Sequence, residues 1–138
     1  MPELPEDFEP HPARDASLAS MEAVEAGDRE GWLALFAPDA VVEDPIGRSP
    51  LDPTGEGHRG IDAIAAFYDS TIAPNQVRFT IERSHAAGDE VANVGTITTT
   101  MADGTVVHTD LVGTYRVDAD GRLVSLRAYW EIDKLRFG

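Results

Sequence analysis

Two adjacent carboxylates, Glu43 and Asp44, end the apolar stretch VVEDPIG at residues 41–47, and Pro45 follows them at once. Proline has no backbone donor and stops a strand ladder. In an extended chain neighbouring side chains point to opposite faces, so one carboxylate can face water while the other faces the interior. A carboxylate enclosed by apolar groups is harder to ionise, which makes it a stronger base toward a proton on carbon. Asp-Pro is also a good polar turn at a strand end. On the residues alone both readings stand.

The remaining chemistry-bearing residues form no comparable constellation. His11, His58, His85 and His108 show no ligand spacing such as H-x-x-x-H, so there is no metal-site signature. His108 and Asp110 fall on one face of a predicted strand, where a solvent or subunit face is the simpler setting. GEGHRG at residues 55–60 matches G-x-G-x-x-G and precedes a helix. A dinucleotide fingerprint needs a strand directly before it, inside a βαβ unit. Here SPLDPT precedes it and antiparallel strands follow, so nucleotide binding is rejected and the glycines read as a flexible loop over the next helix. No G-x-S-x-G elbow occurs, and with no cysteine there is no thiol nucleophile.

The elements that must position Asp44 follow from periodicity. Residues 15–26 are predicted as a helix capped by Asp15, with Leu18, Met21 and Val24 on one face and Gly27 at its end. Asp28 caps a shorter helix that carries Trp32, Leu35 and Phe36 and closes at Pro38. Residues 40–43 form a short strand, and residues 45–60 a loop rich in proline and glycine. A third helix spans 61–73, burying Ile61, Ile64, Tyr68 and Ile72 and stopping at Pro74-Asn75. The period then changes to that of strands, expected at 76–86, 90–101, 105–117 and 122–133 with turns at Gly88-Asp89, Asp103-Gly104 and residues 118–121. Helices followed by a strand meander make an α+β domain, with the helices on one face of a mostly antiparallel sheet. Alternation puts Val107, Thr109, Leu111, Gly113, Tyr115 and Val117 on one face of one strand. On the next strand it groups Val124, Leu126, Ala128, Trp130 and Ile132. Large residues beside Gly113 and Ala128 suit a pocket lining as well as ordinary core.

At 138 residues the chain suits one domain. The opening MPELPEDFEPHPAR is acidic and proline-rich and lacks the pattern of a signal peptide, so residues 1–14 are expected to be a disordered arm and residues 15–138 the single domain. A net charge of −14 repels phosphate backbones and anionic lipid, which removes nucleic acid and membrane surfaces as expected partners. No apolar run reaches the length of about 18 residues that a membrane span needs. The lack of cysteine fits a reducing cytosol, so a cytoplasmic location is expected.

The stretch EAGDREGWLALFAPDAVVEDPIG, followed by GIDAIAAFYDSTI, resembles the ketosteroid isomerases (steroid Δ5-isomerases) of the nuclear-transport-factor-2-like superfamily, to which polyketide cyclases and limonene epoxide hydrolases also belong. The similarity is nearest to the isomerase-like proteins of actinobacteria and runs over residues 15–133; DGRLVSLRAYW at 120–130 is common across the superfamily. The resemblance implies a cone-shaped fold, three N-terminal helices closing a strongly curved sheet around an apolar cavity. It implies that Asp44 is the general base, moving a proton from C4 to C6 of a steroid through a dienolate. It matches Tyr68 to a pocket tyrosine on the third helix, and Phe36, Tyr115 and Trp130 to apolar positions of the steroid cavity.

Two departures from the family pattern matter. Its oxyanion hole pairs a tyrosine with a protonated aspartate. Ser20 stands at the tyrosine's place and Gly113 at the aspartate's. One such donor is worth about 10²–10³ in rate, so a weak isomerase is expected. Tyr68 is the best substitute donor, or Asp110 if a bulge turns it inward. Ser20, Gly113, Leu111 and Ala128 are then substrate-binding positions. The alternatives are a binding protein for steroids or similar flat apolar molecules, and a cyclase or dehydratase using the same cavity. None of this chemistry needs a cofactor. A homodimer is expected through the outer sheet face, which carries Val106, Val112, Thr114, Leu123 and Tyr129, with His108, Asp110, Arg116 and Arg127 available to pair across a two-fold axis.

Overall fold

A computed structural model describes residues Met1–Gly138. Helix α1 spans Pro12–Ala26. It starts at Pro12 rather than near Asp15, because proline suits a first helical position and His11 Nδ1 accepts from the Ala13 N–H at 3.1 Å. Gly27, at φ 69°, ends it in the left-handed conformation that glycine adopts without strain. Helix α2 spans Arg29–Leu33, capped by Asp28, whose Oδ1 accepts from the Gly31 N–H at 2.9 Å. The chain is extended again by Phe36, and strand β1 runs Phe36–Glu43, longer than the expected 40–43. After a loop and the short strand β2, His58–Arg59, helix α3 covers Ile61–Phe67 and continues as a π-helical turn, Tyr68–Ile72.

Four long strands follow: β3 Gln76–Ala87, β4 Glu90–Thr100, β5 Val106–Val117 and β6 Leu123–Tyr129. A last strand, β7 Arg136–Phe137, pairs with β5 and was not expected. The open sheet has the order β2-β1-β6-β5-β4-β3, with β7 off that path. Only the β1–β6 contact is parallel. Helix α1 packs on β3, β4 and β5, α3 packs on β1 and β2, and α2 packs against α1 and α3, so the helices form a layer on the sheet as the α+β reading requires.

Besides the shift of β1 on β6 between Phe36 and Val41, two irregularities interrupt the sheet's register. Between Ile81 and Arg83 the register of β3 on β4 shifts, and opposite this point stands Gly95. A Cβ on Gly95 would lie 2.1 Å from the Thr80 carbonyl oxygen, so the strands approach this closely only because the residue is glycine. The second shift, between the Arg116–Ser125 and Val117–Leu123 pairs, makes Val124 the extra residue of a bulge. This reverses the expected facing there. Leu123, assigned to the outer face, is 0% exposed in the core, and Val124 is only half-buried. Ile132, expected on the inner face of β6, sits in a 3-10 turn at Ile132–Lys134 and is exposed.

The arm expected to be disordered over residues 1–14 is instead attached. The Glu3 N–H donates to the Phe79 carbonyl and the Ile81 N–H to the Glu3 carbonyl, both at 2.8 Å. Pro2 is buried, and Leu4 and Phe8 pack against the core.

Candidate active site

The sheet and the helices that cover it enclose a cavity of about 400 Å³, within the range of about 300–1,000 Å³ usual for small-molecule sites. Met21 and Val24 of α1, Phe67 of α3, Ile72 of the π-turn, Phe79 of β3 and Leu111 of β5 make much of its wall apolar. The inward alternation of β5 carries through as expected: Val107, Thr109, Leu111, Gly113 and Tyr115 all line it.

Asp44 lies at the end of β1 and borders this cavity. Trp130 Nε1 donates to its Oδ1 at 2.6 Å. No protein donor reaches Oδ2, which leaves that oxygen free to take a proton. Burial pushes the Asp44 carboxyl above its ordinary value; the Trp130 hydrogen bond and the charge of His58 pull the other way and offset only part of this. Glu43 faces outward, where its Oε2 accepts from Arg127 Nε at 2.8 Å. The two carboxylates are thus split by strand alternation. The Ile46 N–H donates to the Ala128 carbonyl at 3.0 Å, holding the chain after Pro45 against β6 two residues from Trp130.

Ser20, Leu111, Gly113, Tyr115, Ala128 and Trp130 join Asp44 around this one cavity. Phe36 and Tyr68 do not, which corrects their expected place. Trp32 is the ring that reaches the cavity wall. Phe36 packs edge-on against it at 4.8 Å between centroids, and Tyr68 leans on it at 5.4 Å, so both belong to the core outside the cavity. Burial raises the Tyr68 ionisation, and the charges acting on it are Asp28, Arg29 and Asp69 rather than Asp44. Asp110 is not turned inward either: it accepts from Arg136 at 2.9 and 2.8 Å and from Thr96 at 2.8 Å on an exposed face.

Ser20 is 3% exposed, and its Oγ accepts from Trp32 Nε1 at 3.0 Å. Asn93 of β4 is a site residue that sequence reasoning missed. It is 2% exposed, lines the cavity and donates from Nδ2 to Ser17 Oγ at 3.0 Å. Its signal was a polar residue among the inward-facing Val91, Gly95 and Ile97. The loop before α3 is held by Asp52, whose carboxylate accepts from the Gly57 N–H at 2.8 Å and the Gly55 N–H at 3.2 Å. Those glycine amides serve a carboxylate of the chain itself. His58 stacks on Phe67 with ring centroids 4.6 Å apart, and its buried Nε2 has no partner.

A SnoaL-like domain matches residues 18–126. The steroid Delta-isomerase of Nocardioides simplex is 32% identical over 110 residues, 80% of this chain and 82% of that protein. The Delta 5-3-ketosteroid isomerase from Mycobacterium sp. superposes with a TM-score of 0.88 at 46% identity, covering 92% of this chain and 98% of that one. RV0760c from Mycobacterium tuberculosis, solved in complex with estradiol-17beta-hemisuccinate, superposes with a TM-score of 0.88 at 40% identity over 93% of this chain and 100% of that one.

Proposed function

This chain belongs to the SnoaL-like domain family, and on that premise we propose that it is a ketosteroid isomerase-like enzyme that moves a proton next to a carbonyl of a steroid-like substrate. The observation that carries this reading is the Asp44 carboxylate: one oxygen pinned by Trp130, the other free, in a mostly apolar cavity. Asp44 Oδ2 takes the proton from the carbon beside the carbonyl. The C–H electron pair moves into the conjugated system and the charge gathers on the carbonyl oxygen. The same carboxyl then returns the proton to a carbon further along, so the double bond migrates and no co-reactant is consumed. Two relatives similar over most of their length, one named a steroid Delta-isomerase and the other a Delta 5-3-ketosteroid isomerase, support this. The test is turnover of a Δ5-3-ketosteroid, followed by the ultraviolet absorbance of the conjugated product. Product formation no faster than in buffer overturns the reading.

A second reading, a steroid-binding protein without turnover, draws on Ser20 and Gly113 at the two donor places and on the estradiol derivative bound to the Mycobacterium tuberculosis neighbour. It predicts saturable binding of such ligands with no product. We further propose a homodimer built on the outer sheet face, for which the exposed Tyr129 is the main support, and the cysteine-free composition supports a cytoplasmic setting.

A further inference from the structure

An oxyanion formed beside Asp44 needs a hydrogen-bond donor, and Tyr68 is outside the cavity. Besides Tyr115, the cavity is lined by the hydroxyl-bearing residues Ser20, Thr71, Thr96, Thr99 and Thr109. Thr109 lies four residues from Gly113 along β5, and Thr99 pairs with Val107, further still from the end where Gly113 pairs with Ala128 beside Trp130. Thr96 donates to Asp110 Oδ1 at 2.8 Å, on the outer face. Thr71 is paired with Ser70 at 3.2 Å. Ser20 Oγ accepts from Trp32 and keeps its own hydrogen, but its short side chain belongs to α1 rather than to the strand that pairs with β6 beside Trp130. Tyr115 differs from all of these. It is 6% exposed, it lines the cavity, and its hydroxyl has no protein partner. It is also the tyrosine on which the charge of Asp44 acts.

We propose that Tyr115 donates the hydrogen bond that stabilises the oxyanion formed when Asp44 takes its proton. This rests on the proton-transfer reading above and names the donor it lacks. Gly113 precedes Tyr115 by two residues on the same face of β5. A Cβ at Gly113 would meet Tyr115 Cε1 at 3.5 Å, so the tyrosine ring lies over the bare backbone of residue 113. The space that a side chain there would enter is flanked by the phenol. Burial and the Asp44 charge both push the phenol's ionisation upward, so it stays protonated and remains a donor throughout the neutral range. The Asp44 charge also makes the bond selective for the intermediate. While Asp44 is anionic it competes for the phenol's dipole; once it has taken the substrate proton it is neutral, and the negative charge sits on the substrate oxygen. A hydrogen bond that strengthens only then lowers the barrier without tightening ground-state binding.

Tyr115→Phe keeps the ring and removes only the hydroxyl. In steady-state turnover of a Δ5-3-ketosteroid it should lower kcat by about 10–10³-fold with little change in KM. Ser20→Ala should lower it less. A second readout is independent of turnover. In Asp44→Asn, which mimics the protonated base, a bound fluorescent naphthol reports its own ionisation, and adding Tyr115→Phe should shift the bound naphthol toward its neutral form. Wild-type kcat in Tyr115→Phe, or a larger loss in Ser20→Ala, overturns the assignment. If the wild-type protein turns over no ketosteroid yet the naphthol shift is present, the isomerase reading fails and Tyr115 stands as the donor. If both turnover and shift are absent, the donor assignment fails too.

Discussion

Asp44 and Glu43 differ mainly in the side of the strand they face, and that decides their chemistry. Glu43 is matched by Arg127 at 2.8 Å, whereas the hydrogen bond to Asp44 comes from the neutral Trp130 N–H. Its raised pKa has two consequences of opposite sign. The base must be ionised to act, so kcat/KM should be flat at neutral pH and fall as pH drops through a midpoint above the ordinary 3.8 of an aspartate. For stability, a carboxyl whose folded pKa is raised stabilises the fold below its unfolded pKa, and that contribution is lost as pH rises through the folded pKa. At neutral pH the ionised Asp44 is therefore a cost. Asp44→Asn should lower kcat by about 10²–10⁴-fold while raising the thermal midpoint at pH 7. Wild-type turnover in the purified variant removes Asp44 as the base; an unchanged midpoint removes the burial argument. The proposed role of Asp44 was one of two options in the sequence, because E-D-P at a strand end allows a turn as well as a base. Tyr115 and Trp130 line the cavity as expected, but which ring of a second aromatic group reaches it was not readable. Trp32, Phe36 and Tyr68 are all apolar-face residues, and only their mutual packing selects Trp32.

Caps and turns follow from local chemistry, so Gly27, Asp28 and Gly88 marked their boundaries in the sequence. Strand β1 was harder to see. Its residues Phe36–Asp39 do not alternate, and its partner β6 lies far along the chain. Register shifts are equally hidden, since nothing local in RLVSL shows that Leu123 rather than Val124 turns inward. The bend at Gly95 has a testable cost. Gly95→Ala sets a Cβ against the Thr80 carbonyl, which is backbone and cannot swing away. The expected loss is about 1–3 kcal/mol in urea unfolding; a neutral result would mean that β3 moves freely there. The late strand β7 supplies a pH test. Arg136 holds it to β5 through Asp110, and the Arg136 and Thr96 hydrogen bonds lower the Asp110 carboxyl to about 2. A lowered pKa means that the contribution is present above the ordinary value and lost as pH falls from about 4 toward 2. Because the pair is exposed, the effect is local. The Gly138 amide, bonded to the Val106 carbonyl at 3.0 Å, should lose protection against hydrogen exchange over that interval once intrinsic rates are divided out. Asp110→Asn should abolish the pH dependence, and if it does not, some other contact holds β7.

For the whole molecule the question is what covers the outer face of the sheet. Tyr129 is 49% exposed there, and Val106, Val112 and Thr114 are half-buried, while Leu123 no longer counts among them. The charges once available for pairing across a two-fold axis are largely satisfied within the chain: Asp110 by Arg136 at 2.8 Å, Arg127 by Glu43 at 2.8 Å and Arg116 by Asp89 at 3.7 Å. A dimer through this face is then held by apolar burial, and its main opponent is the mutual repulsion of two chains of net charge −14. Repulsion between surface charges is screened beyond about 10 Å at 0.1 M salt, whereas apolar burial is not weakened by it. Association should therefore tighten as sodium chloride rises from about 0.01 to 0.3 M, across which the screening length falls well below about 30 Å. If ion pairs across the axis held the dimer, salt would loosen it. Light scattering at micromolar concentration across this series separates the two, with a mass twice the 14.9 kDa of one chain expected at the higher salt. Tyr129→Asp should return the mass to that of one chain without altering the circular dichroism spectrum. A mass of one chain at every salt concentration would leave the outer face as free surface and remove the dimer from the account.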